Sequence, residues 1–75
     1  MKIGIIGAME PEVALLKAQM TVERTYDQAR MQFVEGLLGD VPVVVVQSGI
    51  GKVNAAACTQ ILIDTFAVTH VINTG

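Results

Sequence analysis

Four consecutive valines, Val43 to Val46, set the pattern around which the chain is read. A short run that is apolar at every position predicts a strand buried on both faces, at the centre of a sheet with helices on each side. Gln47 and Ser48 break the run, Gly49 and Gly51 supply a turn, and a helical stretch opens at about Lys52. Strand, glycine turn and helix together form the unit that places ligand-binding groups at the carboxyl end of a strand in α/β proteins. Ile50 is bracketed by the two glycines, so its apolar side chain stands on a turn with only small neighbours. This predicts that the turn is one wall of a binding site.

The remaining segments follow the same logic. Met1 to Ala8 is a short apolar run with Gly4 and Gly7, read as a buried strand in which glycine lets a neighbouring backbone approach closely. Glu10-Pro11-Glu12 suits a helix start, because Pro11 loses nothing in the first turn and the acids complement the positive end of the helix. Val13, Leu16 and Met20 then recur at helical spacing, which predicts a helix over Glu10–Gln19. Thr21–Tyr26 and Met31–Leu37 suit half-exposed antiparallel strands, and Leu38-Gly39-Asp40 a hairpin turn into the valine strand. From Lys52 to Ala67 the apolar residues surround a helix instead of forming one stripe, which predicts burial on more than one side, by the sheet below and another element or subunit above. Val71 to Thr74 reads as a last strand.

Composition alters this picture in one respect. Seventy-five residues allow one small domain, yet 52% are hydrophobic and only 16% charged, with a positive mean hydropathy. A domain so small has an unfavourable surface-to-volume ratio and needs more charge than this. The expectation is a piece of a larger fold, with faces built to pack on further chain. A net charge of −2 with scattered Lys and Arg excludes a nucleic-acid footprint. A single cysteine, Cys58, rules out an internal disulfide and fits a reducing compartment. With no signal-peptide pattern and no run near the length of a membrane span, the chain reads as soluble and cytoplasmic, with no membrane partner.

The glycine motifs do not satisfy the nucleotide-binding patterns. A P-loop requires glycine at position 46 and Ser or Thr at position 53, where Val46 and Val53 stand; a dinucleotide fingerprint opened by Gly49 and Gly51 meets Asn54 at its third glycine. Ser48 lacks the surrounding glycines of a nucleophile elbow. His70 has no ligand-spaced partner, and Cys58 among alanines reads as core. Met9, at a strand end, is ambiguous between core and pocket lining. Glu12 is the sharpest candidate: either an acid stabilising the helix dipole, as Glu10 would, or a functional carboxylate at the carboxyl end of the first strand.

Three separated blocks, MKIGIIGAMEPEV at Met1–Val13, SGIGKVNAA at Ser48–Ala56 and VINTG at Val71–Gly75, resemble the amino-terminal part of the bacterial 5′-methylthioadenosine/S-adenosylhomocysteine nucleosidases, a branch of the purine nucleoside phosphorylase superfamily. Members usually carry Glu where Pro11 stands, a change the first helical turn tolerates. The resemblance implies an α/β chain, the amino-terminal portion of a three-layer nucleoside-phosphorylase-like fold with a mixed central sheet, so that residues 1–75 are an incomplete part of one nucleosidase domain. It implies hydrolysis of the N-glycosidic bond to adenine and a 5-thioribose product, no metal or organic cofactor, and a homodimer in the complete protein.

Carried over by position, the resemblance makes Glu12 the base that orients and deprotonates the attacking water, and Met9 and Ile50 the lining of the pocket for ribose and the 5′-alkylthio group. The groups it assigns to the leaving base and to the ribose hydroxyls fall beyond Gly75, so the 75 residues alone are expected to be inactive. Two alternatives remain. A phosphorylase of the same superfamily would need cations for phosphate, with Lys52 better placed on its turn than Arg24 or Arg30. A non-enzymatic interaction module would use the two-sided apolar helix.

Overall fold

The computed structural model describes residues 1–7, 10–28, 30–47 and 53–74, with side chains from 56 onward in the last stretch. The valine run lies in the middle of a five-stranded sheet. In chain order the elements are β1 (Ile3–Gly7), α1 (Glu10–Gln19), β2 (Thr21–Gln28), β3 (Met31–Leu38), β4 (Val41–Gln47), α2 (Val53–Asp64) and β5 (His70–Asn73). The strand order is β2-β3-β4-β1-β5. β4 pairs parallel with β1, Ile3 opposite Val43 through Gly7 opposite Gln47, and β1 pairs parallel with β5. β2, β3 and β4 form the antiparallel meander. The sheet is therefore mixed, as expected.

Alternation along β1 and β4 divides two cores between its faces. Ile5 and Val45 meet Val13 of α1, with Ile3, Leu16 and Met20 at the margin. Ile6, Val44 and Val46 turn the other way, to Cys58, Leu62, Phe66 and Val68 on and after α2, joined by Met31 and Phe33 of β3. All four valines are at most 2% exposed. Each such burial stabilises by about 1.5–3 kcal/mol, which is why four in a row fix this strand at the centre. The three layers are α1, sheet, α2.

Several expectations need adjusting. Gly4 and Gly7 make room for helices, not for another backbone: a Cβ on Gly4 would stand 2.8 Å from Leu62 Cδ1, and one on Gly7 would stand 2.6 Å from Val13 Cγ2. β2 is exposed along its whole length instead of half-buried, because it is an edge strand whose faces extend past both helices. α2 ends at Asp64, three residues before the sequence pattern does. Ala67 takes a left-handed conformation (φ 55°), and its N–H donates to the Ile63 carbonyl at 3.1 Å, a helix stop that usually carries glycine.

Among the described residues, the buried side chains of α2 lie on its sheet side. Cys58 and Leu62 are buried, whereas Ala56, Ala57 and Ile63 are exposed. Gly39 has the positive φ expected of the hairpin turn (65°). Cys58 is core as read: its thiol donates to Met31 Sδ at 2.9 Å, and burial pushes its pKa up.

At the amino ends of the parallel strands, Glu35 of β3 holds two cations. Lys2 Nζ lies 2.5 Å from Oε2 and Arg24 Nη2 lies 2.7 Å from Oε1. The hydrogen bond from Lys2 comes first in lowering the Glu35 pKa, ahead of the opposing effect of burial and the help from Arg24. This clamp ties β1, β2 and β3 together at the end of the sheet remote from the candidate site.

Candidate functional site

The parallel strands β4, β1 and β5 end side by side at Gln47, Gly7 and Asn73; the first and third sequence blocks run to this edge along β1 and β5, and the second follows β4 in sequence. In open α/β sheets the carboxyl edge is where ligands bind. Gly7 allows α1 to begin three residues after β1 with Val13 packed directly on the strand end. That contact puts Glu12, the residue before Val13, in the first turn of α1 at the carboxyl edge.

Glu12 is exposed. Among the described residues it has no hydrogen-bond or ion-pair partner. Both of its readings survive this: a solvated acid at a helix start, or a carboxylate free to meet a ligand. On the other flank of β1, Thr74 is fastened to the strand end, its backbone N–H at 2.9 Å and its hydroxyl at 3.3 Å from the Ile6 carbonyl. Val71–Thr74 is thus held beside β1 up to its end.

Met9 and Ile50 lie outside the described residues. Met9 falls between β1 and α1 in sequence, and Ile50 falls between β4 and α2, so both connections start from this edge. Ser48 and Lys52 also lie outside the described residues. His70 is exposed at the start of β5, at the other end of the sheet, with Nδ1 2.9 Å from Thr69 Oγ1. Arg24 is occupied by Glu35 and stands away from the site. Among the described residues no cluster of three or more His, Cys, Asp or Glu is placed to hold a metal ion.

One feature escaped the sequence pattern. A cleft of about 380 Å³ is lined by Val13 and Lys17 of α1, Arg30, Met31 and Gln32 at the start of β3, and Gln47 at the end of β4. β3 runs antiparallel to β4, so its first residues reach the same edge as Gln47. Lys17 stands four residues after Val13 and so shares its helix face. Arg30, at the β2–β3 turn, has φ 64°, a left-handed conformation uncommon for a residue other than glycine.

A mixed sheet between two helix layers, with a carboxylate where the central strands end, defines the class. The chain belongs to the Phosphorylase superfamily, whose match runs over residues 2–75. Within it, the chain is 57% identical over its whole length to the 5′-methylthioadenosine/S-adenosylhomocysteine nucleosidase of Colwellia psychrerythraea. The crystal structure of that protein in complex with adenine superposes with a TM-score of 0.92, covering 100% of this chain. The Neisseria meningitidis nucleosidase in complex with methylthio-immucillin-A gives 0.91 at 43% identity, over 99% of this chain and 32% of its own. The futalosine hydrolase of Helicobacter pylori gives 0.84 at 31% identity, over 99% of this chain and 32% of its own. The chain spans about a third of the length of the curated relatives it matches (31% for the Colwellia protein).

Proposed function

We propose that the full-length protein carrying these residues hydrolyses the N-glycosidic bond of 5′-methylthioadenosine and S-adenosylhomocysteine, releasing adenine and a 5-thioribose product. The observation that carries this reading is Glu12, an exposed carboxylate outside the ion pairs of the fold, in the helical turn beside the end of β1. Cleavage passes through a sugar with oxocarbenium character, and a carboxylate there both takes a proton from the attacking water and stabilises the developing positive charge. Met9 and Ile50 line the pocket for ribose and the alkylthio group, so that an apolar wall faces the sulfur substituent.

The identity to nucleosidases over all 75 residues supports the hydrolytic reading over a phosphorolytic one. No helix among the described residues is long and apolar enough to cross a membrane, in keeping with a cytoplasmic enzyme. The outward face of α2, with Ile63 49% exposed, fits the subunit contact of a homodimer. The test is adenine release by the full-length protein from methylthioadenosine in phosphate-free buffer. Turnover without phosphate, giving a free thioribose, is the expected result; turnover only with phosphate, giving a sugar phosphate, would make it a phosphorylase.

A further inference from the structure

We infer that the cleft between α1 and the β3–β4 edge takes the charged amino-acid tail of S-adenosylhomocysteine, with Lys17 and Arg30 binding its carboxylate. This rests on the proposed nucleosidase reading and adds a specificity site to it. The chain has five Lys and Arg. Lys2 and Arg24 are held by Glu35, and Lys52 lies outside the described residues. The two that remain, Lys17 and Arg30, both line this cleft, and no carboxylate lines it with them. Neither has an ion-pair partner among the described residues.

The rest of the lining suits the same ligand. Val13 and Met31 are buried apolar residues that can pack against the methylenes of the tail. The Gln32 and Gln47 amides can donate to a carboxylate and accept from an ammonium. Position along α1 separates the tail from a nucleophile. Lys17 follows Glu12 by five residues, about 7.5 Å along the helix axis at 1.5 Å per residue. Five residues also turn the helix by about 140°, so Lys17 leaves α1 on the side of Val13 and the cleft and not on the side of Glu12.

The experiment uses the full-length protein with Lys17→Gln, Arg30→Asn and the double variant. Asn tolerates the left-handed backbone at position 30, so the turn is preserved. Three substrates are compared: S-adenosylhomocysteine, methylthioadenosine, and 5′-butylthioadenosine, whose tail is of similar length but uncharged. The double variant is expected to lose about tenfold in kcat/KM for S-adenosylhomocysteine, the order expected for charge-assisted hydrogen bonds at a half-exposed site. Methylthioadenosine and butylthioadenosine should be unaffected. An equal loss on all three, or no loss on S-adenosylhomocysteine, would overturn the assignment. A phosphate stimulation present in the parent and absent from the double variant would make the cleft a free-phosphate site and overturn it too. Failure of the parent to cleave any of the three would instead refute the nucleosidase reading, and this inference with it.

Discussion

Gly7→Ala is a one-methyl perturbation that should damage both stability and chemistry. Gly7 has no positive φ, so alanine fits its backbone, and the whole effect comes from the added Cβ. That atom would stand 2.6 Å from Val13 Cγ2, where ordinary contact begins at 3.4 Å. Val13 is 4% exposed and wedged against Ile5 and Val45, so the start of α1 must move outward by about 0.8 Å to restore ordinary contact. Overpacking of this kind costs about 1–3 kcal/mol. The same shift displaces Glu12, and misplacement of a catalytic group by ~1 Å can cost about 10²-fold in rate.

The assay is kcat on methylthioadenosine together with the thermal midpoint, measured on the full-length protein for Gly7→Ala, Val13→Ala and the pair. Val13→Ala alone removes two buried methyls, at about 1–3 kcal/mol, and removes the atom that clashes. The double variant should therefore be more stable than the two single costs predict and should regain most of the turnover, because residues in contact are not additive. Wild-type stability and turnover in Gly7→Ala would refute the reasoning, as would strict additivity in the pair.

Other expectations are simpler to check. Ile50→Ala should weaken transition-state binding of substrates with apolar 5′ groups by about 1–3 kcal/mol and spare adenosine, read as a ratio of kcat/KM values; equal losses would indicate a collapsed turn. Glu35 has a lowered pKa, chiefly because Lys2 donates to it. Its contribution to stability should be full above the unfolded glutamate pKa of about 4.3 and fade as pH falls through the lower folded value. Acid titration of thermal midpoints should show Glu35→Gln losing less stability than the parent between about pH 5 and about pH 3. The 75 residues by themselves should self-associate, because β5 offers Val71 (38% exposed) and Ile72 (47% exposed) on an open strand edge. Size-exclusion chromatography giving a monodisperse, cooperatively folding monomer would contradict this.

The elements most legible in the sequence were those where local pattern and tertiary context agree. Val43–Val46 could only be a central strand, and Pro11 with its flanking acids opened α1 where the pattern placed it. The end of α2 was hidden because Ala67 does the work of a glycine stop, and Phe66 and Val68, apolar enough to continue a helix, instead pack into the core as the chain turns. The roles of Gly4 and Gly7 were misread because a strand pattern cannot show what crosses above it. Glu12 was visible as a helix-start acid; the chemical role proposed for it came from the resemblance of three blocks, and the fold brings strands β1 and β5 of two of them to the edge where β4 also ends. The cleft was invisible because Lys17, Arg30 and Gln47 belong to three segments that meet only in the folded chain.

Everything proposed for this chain turns on Glu12 being an acid placed for chemistry. Glu12→Gln in the full-length protein tests it most directly, with kcat for adenine release and the thermal midpoint measured on the same preparation. As an exposed helix-start acid, its loss should alter stability by under ~1 kcal/mol. As the general base, its loss should lower kcat by about 10²–10⁴-fold. The expected result is that fall, with the midpoint almost unmoved. Turnover near that of the parent would contradict it and leave Glu12 a helix-dipole acid.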